Sequence, residues 1–426
     1  MNYDQTIDYL LSLQKFGIKF GLSSTENLLS RLGNPHLAVP AVHLAGTNGK
    51  GSVGAMIASM TAASGLRVGF YTSPHLISFR ERFRINGELI EPGDVVSLAE
   101  RVKAVSAPEE PPTFFEFVTA MGFLYFAEKK VDLLVLETGM GGRLDATNVV
   151  LPLAGVITNI SMEHTDYLGK TLARIAAEKA GIIKPGLAVV TGEKRKSVRA
   201  IFEETAEARG GRILALGRDF KVIKRGFGLF DYYGLGRKMA RLEVNLIGDH
   251  QIRNAGLALA VMELLADKGF ALDEGIIRKG LAEASWPGRA QIFPGPPRLM
   301  LDGAHNPHAA KTLARLLAGL EYERLHLVLG IMADKDIRAV MAPLLPLADV
   351  LYLTRTAYSR GAAPEVLAEA ARSFSGNKEL HPSIPDALAA ALAAAGRDDL
   401  VVATGSLFTV GEALAHLTGG SSRQEG

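Results

Sequence analysis

Residues Gly46-Thr47-Asn48-Gly49-Lys50-Gly51-Ser52 lie between an apolar run at 41–45 and a helix-forming run at 53–63. A glycine-rich turn joining a strand to a helix N-terminus points backbone N–H groups inward, and the helix dipole favours an anion there. Lys50 adds a mobile positive charge, so the segment reads as a phosphate cradle within an α/β fold. It departs from the standard P-loop, G-x-x-x-x-G-K-[ST]. That pattern would put its first glycine at Leu44 and its hydroxyl residue at Gly51. Here the glycine is Gly46 and the hydroxyl is displaced to Ser52.

The rest of the chain supports the same class. Strand-like runs at 41–45, 68–71, 131–137, 154–160 and 187–191 alternate with helical patterns at 52–64, 92–105, 114–129, 172–183 and 196–209. The runs at 131–136 and 154–157 are apolar without alternation, as expected for strands buried on both faces of a parallel sheet. Residues 212–247 are rich in Gly, Tyr and Phe and predict a small antiparallel subsheet, followed by a long helix over 251–267. A proline-rich stretch, 286–297, interrupts both helix and strand. Beyond it the alternation restarts, with strands expected at 298–301, 325–329, 350–353 and 400–403. The expected fold is α/β: a P-loop-like, mostly parallel sheet domain with the subsheet (1–288), a linker (289–297), a smaller Rossmann-like domain (298–418) and a disordered tail (419–426). Ligand sites favour the carboxyl ends of parallel strands and the clefts between domains.

At 426 residues two or three domains are expected. A net charge of +2 gives no field suited to nucleic acid or an anionic membrane. The chain has no cysteine, which excludes disulfides, thiolate zinc sites and a cysteine nucleophile. The N-terminus lacks a signal-peptide profile and no uncharged apolar run reaches spanning length, so a cytoplasmic enzyme is expected.

The chemistry-bearing residues gather at predicted strand ends. Glu137 closes a buried run and opens Glu137-Thr138-Gly139-Met140-Gly141-Gly142-Arg143, where a nucleotide's magnesium needs a hard oxygen ligand. His164 follows another strand and is a second candidate ligand, with Asp166 its rival. Lys179 lies on a helix and by itself reads as an ordinary lysine. The charged segment from Ser73 to Asn86, with Arg80, Glu81, Arg82 and Arg84, is expected to be a functional loop. In the second half, Leu301-Asp302-Gly303-Ala304-His305-Asn306-Pro307 ends a strand and opens a helix. Asp302 suits ribose hydroxyls and His305 a phosphate or developing negative charge. Arg289 suits a polyphosphate and Asn254 a base.

Together these pieces resemble the Mur ligase superfamily, and within it folylpolyglutamate synthase / dihydrofolate synthase. The 46–52 turn, Thr72-Ser73-Pro74-His75-Leu76, Phe79-Arg80-Glu81-Arg82, Ile85-Asn86-Gly87, Phe115-Glu116-Phe117, the run from Glu137 to Asn148, Leu301–Pro307 and Ala403-Thr404-Gly405-Ser406 occur in family order. The resemblance implies ATP-dependent amide-bond formation through an acyl phosphate, with glutamate joined to dihydropteroate or to the tail of reduced folates. It implies ATP, two magnesium ions and, as a further expectation, a monovalent cation such as K+. It implies phosphate contacts from Gly46–Ser52 and Arg289, and nucleotide contacts from Asn254, Asp302 and His305. Ser73, Glu137, His164 and a carbamylated Lys179 would be metal ligands, with Lys50, His305 and Lys179 in catalysis. Thr113, Phe115, Arg143, Asp145 and Ala146 would hold the folate, and His305 and Ser406 the glutamate. No nucleic-acid or membrane partner is expected, and the chain is expected to be a monomer. Polyglutamylation alone is the runner-up. A cell-wall Mur ligase and a nucleotide-switch ATPase are the readings from other classes.

Overall fold

The computed structural model describes residues 1–420 apart from positions 18, 20 and 108. By its internal contacts the chain forms two compact units. The first comprises 1–75, 80–245 and 251–285; the second comprises 76–79, 246–250 and 286 onward. Among the described residues no helix is long and apolar enough to cross a membrane.

The first unit is built on eight strands: β1 (Ala41–Ala45), β2 (Val68–Tyr71), β3 (Phe83–Ile85), β4 (Glu88–Leu89), β5 (Leu133–Glu137), β6 (Ala154–Ile157), β7 (Ala188–Thr191) and β8 (Arg212–Ala215). Their order is β4-β3-β2-β5-β1-β6-β7-β8. The pairs from β2 through β8 are parallel, whereas β3 and β4 join antiparallel at one edge. All five residues of β1 and of β5 are buried, which explains their unbroken apolar runs. Because these strands run the same way, the loops after β1, β2, β5, β6 and β7 leave from one edge of the sheet. Under that edge, Ala45, Ile157, Ile160, Ile175, Ala176, Ala180 and Ile182 form one apolar cluster.

Three further strands, β9 (Lys221–Lys224), β10 (Leu229–Tyr233) and β11 (Lys238–Glu243), make the small antiparallel sheet. In the second unit β12 (Gln291–Phe293), β13 (Arg298–Asp302), β14 (Leu325–Leu329), β15 (Val350–Leu353), β16 (Asn377–Leu380) and β17 (Leu400–Thr404) stand in the order β12-β13-β17-β14-β15-β16. Only the β12–β13 pair is antiparallel. Apolar clusters cover both faces of this sheet.

Four local expectations change. Residues 212–215 do not belong to the small sheet; they extend the large one beside β7, continuing its strand–helix alternation. The 73–86 segment is not an open loop. It contains a 3-10 turn at Phe79–Arg82 and strand β3, and Arg82 is 1% exposed. The stretch expected to be a linker holds β12, because an edge strand beside prolines needs ladder bonds on one side only. Strand β16 reads Asn-Lys-Glu-Leu, too polar to announce itself, and it too sits at a sheet edge. At the other end, Gly419 takes a left-handed φ of 68° as the cap of helix Leu407–Thr418, and the expected disorder of residues 421–426 lies outside the described residues.

Candidate active site

The turn after β1 requires its glycines. Gly46 has φ 140°, and a Cβ there would lie 1.9 Å from Thr158 Oγ1. Gly49, at φ 91°, precedes helix Lys50–Ala62 and offers no side-chain cap. The first-turn N–H groups of that helix therefore suit an external anion. The turn is braced from β6: Asn159 O accepts the Thr47 N–H at 2.9 Å, and the Asn159 side chain bonds Asn48 through both N–H (3.2 Å) and C=O (2.8 Å). Ser161 N–H donates to Thr47 Oγ1 at 3.0 Å. Asn254 packs against Gly49 and donates to Gln251, which in turn donates to Ser52 Oγ.

Two ammonium groups converge on one carbonyl. Lys50 Nζ donates to Gly46 O at 2.9 Å, and Lys179 Nζ donates to the same oxygen at 3.1 Å. Each faces a carboxylate: Glu137 Oε1 lies 3.9 Å from Lys50, and Glu163 Oε1 lies 2.7 Å from Lys179. Burial lowers the pKa of Lys179, assisted by Lys50 and opposed by Glu163. Burial would raise that of Glu163, but Lys179 and Lys50 outweigh it and hold the carboxyl low. The lysine that looked ordinary is thus 2% exposed and bonded to the glycine turn. Glu163 and Asn159 escaped the sequence reading. Their one signal is position, just past the end of β6.

Oxygen donors for magnesium are available at the adjacent ends of β2 and β5, which pair in parallel with Tyr71 opposite Leu136. Glu137 ends β5. Ser73 follows β2, and its buried Oγ has no hydrogen-bond partner among the described residues. Magnesium takes few protein ligands and completes its shell with phosphate oxygens and water, so these donors fit a nucleotide-borne ion. His164 takes a left-handed φ of 44° at the start of the short helix Thr165–Leu168, next to Glu163, on which its charge acts; Asp166 sits in that helix's first turn. Among the described residues no three His, Asp or Glu side chains form a ready-made metal cluster.

The residues assigned to the folate divide. The half-buried Phe115 packs on Gly139, where a Cβ would lie 2.6 Å from its ring. Arg143 is exposed and paired with Glu178 at 2.8 Å. Ala146 is buried. Thr113 caps helix Phe114–Glu128 in a reciprocal box with Glu116. The Asp145 carboxylate, 6% exposed, faces inward. It accepts from Met140 N–H (2.9 Å) and Thr147 N–H (3.0 Å) and from the Thr147 hydroxyl, which also meets His43 Nε2 at 2.9 Å. Burial raises its pKa, with those bonds opposing.

In the second unit Asp302 accepts from Ala290 N–H at 2.8 Å and Ala304 N–H at 2.9 Å. His305 Nδ1 meets Gly303 O at 2.9 Å, and Asn306 caps helix Pro307–Leu317. Arg289 Nη1 donates to Gly288 O at 3.2 Å. Ser406, 1% exposed, caps helix Leu407–Thr418 through Thr409.

A braced glycine turn, paired lysines and neighbouring acids meet at one edge of the large sheet, an arrangement that suits an anion and its metal. Residues 44–262 match the Mur ligase middle domain, and residues 288–407 match the Mur ligase glutamate ligase domain. The dihydrofolate synthase/folylpolyglutamate synthase of Bacillus subtilis is 34% identical over 423 residues, covering 96% of this chain and 98% of that one. The Escherichia coli enzyme solved in complex with DHPP and ADP superposes with a TM-score of 0.90 at 30% identity, covering 97% of this chain and 98% of that one. A probable bifunctional folylpolyglutamate synthase/dihydropteroate synthase of Halobacterium salinarum is 38% identical over 430 residues, 98% of this chain; the chain spans about half of that relative's length (52%). This chain belongs to the Mur ligase family, in its folylpolyglutamate synthase/dihydrofolate synthase branch.

Proposed function

We propose that this chain joins L-glutamate to dihydropteroate, and to the glutamate tail of reduced folates, at the expense of ATP. The observation that carries the reading is the convergence of Lys50 and Lys179 on the Gly46 carbonyl, with Glu137 and Glu163 beside them. Two cations, strand-end acids and an uncapped helix N-terminus are complementary to a polyphosphate with its metal.

The 46–52 turn and Lys50 grip the triphosphate, and Arg289, Asn254, Asp302 and His305 serve its phosphates, base and ribose. Ser73 and Glu137 would hold a magnesium ion, with His164 and Lys179 as ligands to a second. Bound magnesium neutralises charge on the phosphoryl group in transfer. Lys179 joins that set once its neutral amine has added to CO2, losing a proton and becoming a carbamate oxygen donor. A buried, depressed-pKa amine suits that addition. A substrate carboxylate oxygen bonds to the γ-phosphorus as the bond from that phosphorus to the β–γ bridging oxygen breaks, so ADP leaves and the carboxylate becomes an acyl phosphate. The glutamate amine, held near His305 and Ser406, attacks the acyl carbon and loses a proton, and phosphate leaves. The protein's share is position and electrostatics. Phe115 stacks on the pterin, beside Thr113, Arg143 and Ala146. The enzyme works as a cytoplasmic monomer, and a K+ ion is an additional cofactor in this reading.

One observation favours the narrower activity. Asp145 is occupied by backbone amides, so its influence on a pterin passes through the 139–141 segment it holds. Mass spectrometry of products, with dihydropteroate and tetrahydrofolate offered separately, decides between the two. Glutamylation of both supports the dual activity, and glutamylation of the folate alone supports the narrower one. ATP turnover indifferent to both acceptors and to glutamate would refute the ligase reading.

A further inference from the structure

Glu193 and Arg195 follow β7 and take no part in the chemistry above. Glu193 is nevertheless a carboxylate only 3% exposed. Its Oε2 accepts the Ile160 N–H at 3.0 Å, and its Oε1 accepts the Arg195 N–H and Nε, each at 2.8 Å. Arg195 Nη2 closes the fork on Oε2 at 2.7 Å and also donates to the Ile160 carbonyl. The two peptide groups of Ile160 are therefore held together, the amide by the acid and the carbonyl by the guanidinium. Just before the acid, Arg253 holds the Gly192 carbonyl at 3.2 Å.

A core asks for apolar side chains, and a buried carboxylate paired with a half-exposed arginine is no efficient way to stabilise one. What this pair supplies is orientation. Ile160 stands between Asn159 and Ser161, and these two residues carry the bonds that shape the phosphate turn at Thr47 and Asn48. Glu163, the partner of Lys179, comes three residues further on. Bidentate Arg–carboxylate pairs fix direction as well as distance, so a peptide gripped at both ends cannot rotate without breaking the fork.

We propose that Glu193 and Arg195 are a positioning pair. They lock the 159–161 wall and, through it, the phosphate-gripping shape of the 46–49 turn, so that nucleotide affinity depends on two residues that touch no substrate. The inference rests on the nucleotide reading above. The test is calorimetric titration of the full chain with Mg-AMPPNP, together with KM for ATP and for L-glutamate. Glu193→Ala and Arg195→Ala are expected to weaken the analogue about ten- to a hundredfold, the range seen when partners that orient ligating residues are removed. KM for ATP rises with it and KM for glutamate stays put. Glu193→Gln keeps an acceptor for the Ile160 amide and Arg195→Lys keeps a cation, so each recovers part of the loss. A merely structural role would lower the active fraction, and so kcat, without separating the two KM values. Unchanged analogue binding in both alanine variants, or parallel shifts in both KM values, would overturn the proposal. If Glu193→Ala does not fold, the half-exposed Arg195 variants decide it alone. A wild-type chain that fails to bind the analogue would overturn the nucleotide reading itself; wild-type binding with indifferent variants overturns the pair alone.

Discussion

The turn after β1 and the turn after β13 share a plan. Each leaves the carboxyl end of a parallel strand, passes through a glycine and starts a helix: Gly46 to Lys50 in the first unit, Gly303 to Pro307 in the second. They differ in what their polar groups face. In the second turn Asp302 ties down two backbone amides and Asn306 caps its helix. In the first, Gly49 provides no cap, and the nearby side chains are two ammonium groups and two carboxylates. The second turn commits its polar side chains to nearby backbone amides, whereas the first opens on a helix N-terminus with no side-chain cap, beside two ammonium–carboxylate pairs. The difference separates a helix N-terminus left open, which suits an outside anion, from one whose polar atoms secure its own shape.

That contrast can be broken by mutation. Lys50→Ala is expected to cut ATP-dependent turnover by on the order of a hundred- to a thousandfold while leaving the melting temperature unchanged, since it removes charge aimed at the transferring group. A large loss of stability would put Lys50 among the structural residues. Gly46→Ala is expected to abolish Mg-AMPPNP binding and lower stability by about 1–3 kcal/mol, because a Cβ at that φ meets Thr158. Calorimetry on the purified variant checks both. Asn306→Ala inverts the pattern: it removes a helix cap and should cost about 1 kcal/mol in urea unfolding, with a smaller effect on kcat than Lys50→Ala.

A further effect, read against pH, is acid sensitivity beneath the first turn. His43 in β1 is fully buried, and burial lowers its pKa from 6.5 to about 3, with Lys184 adding to the shift. The folded chain keeps this ring neutral, whereas the unfolded chain protonates it below 6.5. Stability is therefore lost as pH falls through that window, by up to about 1.4 kcal/mol per pH unit from this group. Urea midpoints for His43→Asn should show a shallower acid limb than wild type between pH 6 and about 4. Identical limbs would remove His43 from the account.

The sequence exposed the elements whose environment is uniform. Strands β1 and β5 are buried on both faces and read as unbroken apolar runs; β4, β12 and β16 lie at edges, where a strand needs no apolar signature. The glycine turn was legible because its backbone geometry admits few residues. Lys179 and Glu163 were not, since a lysine and a glutamate on the surface or in a site are the same letters. Only the packing of helix Leu172–Ala180 against the turn distinguishes them. Asp145 shows the converse: a motif that suggests a ligand contact holds, in the fold, the chain's own amides.

Local chain chemistry alone determined the α/β alternation, the two-part organisation and the glycine turn, because hydrophobic period and glycine stereochemistry act over a few residues. The tertiary structure decided which charges meet. Residues 46 and 50 share one turn, while 137, 163 and 179 come from separate stretches of the chain; they meet at one edge of the sheet, and the pKa of Lys179 follows from that burial and those neighbours. Coulomb interaction and desolvation depend on distance in space, which no reading of adjacent letters contains.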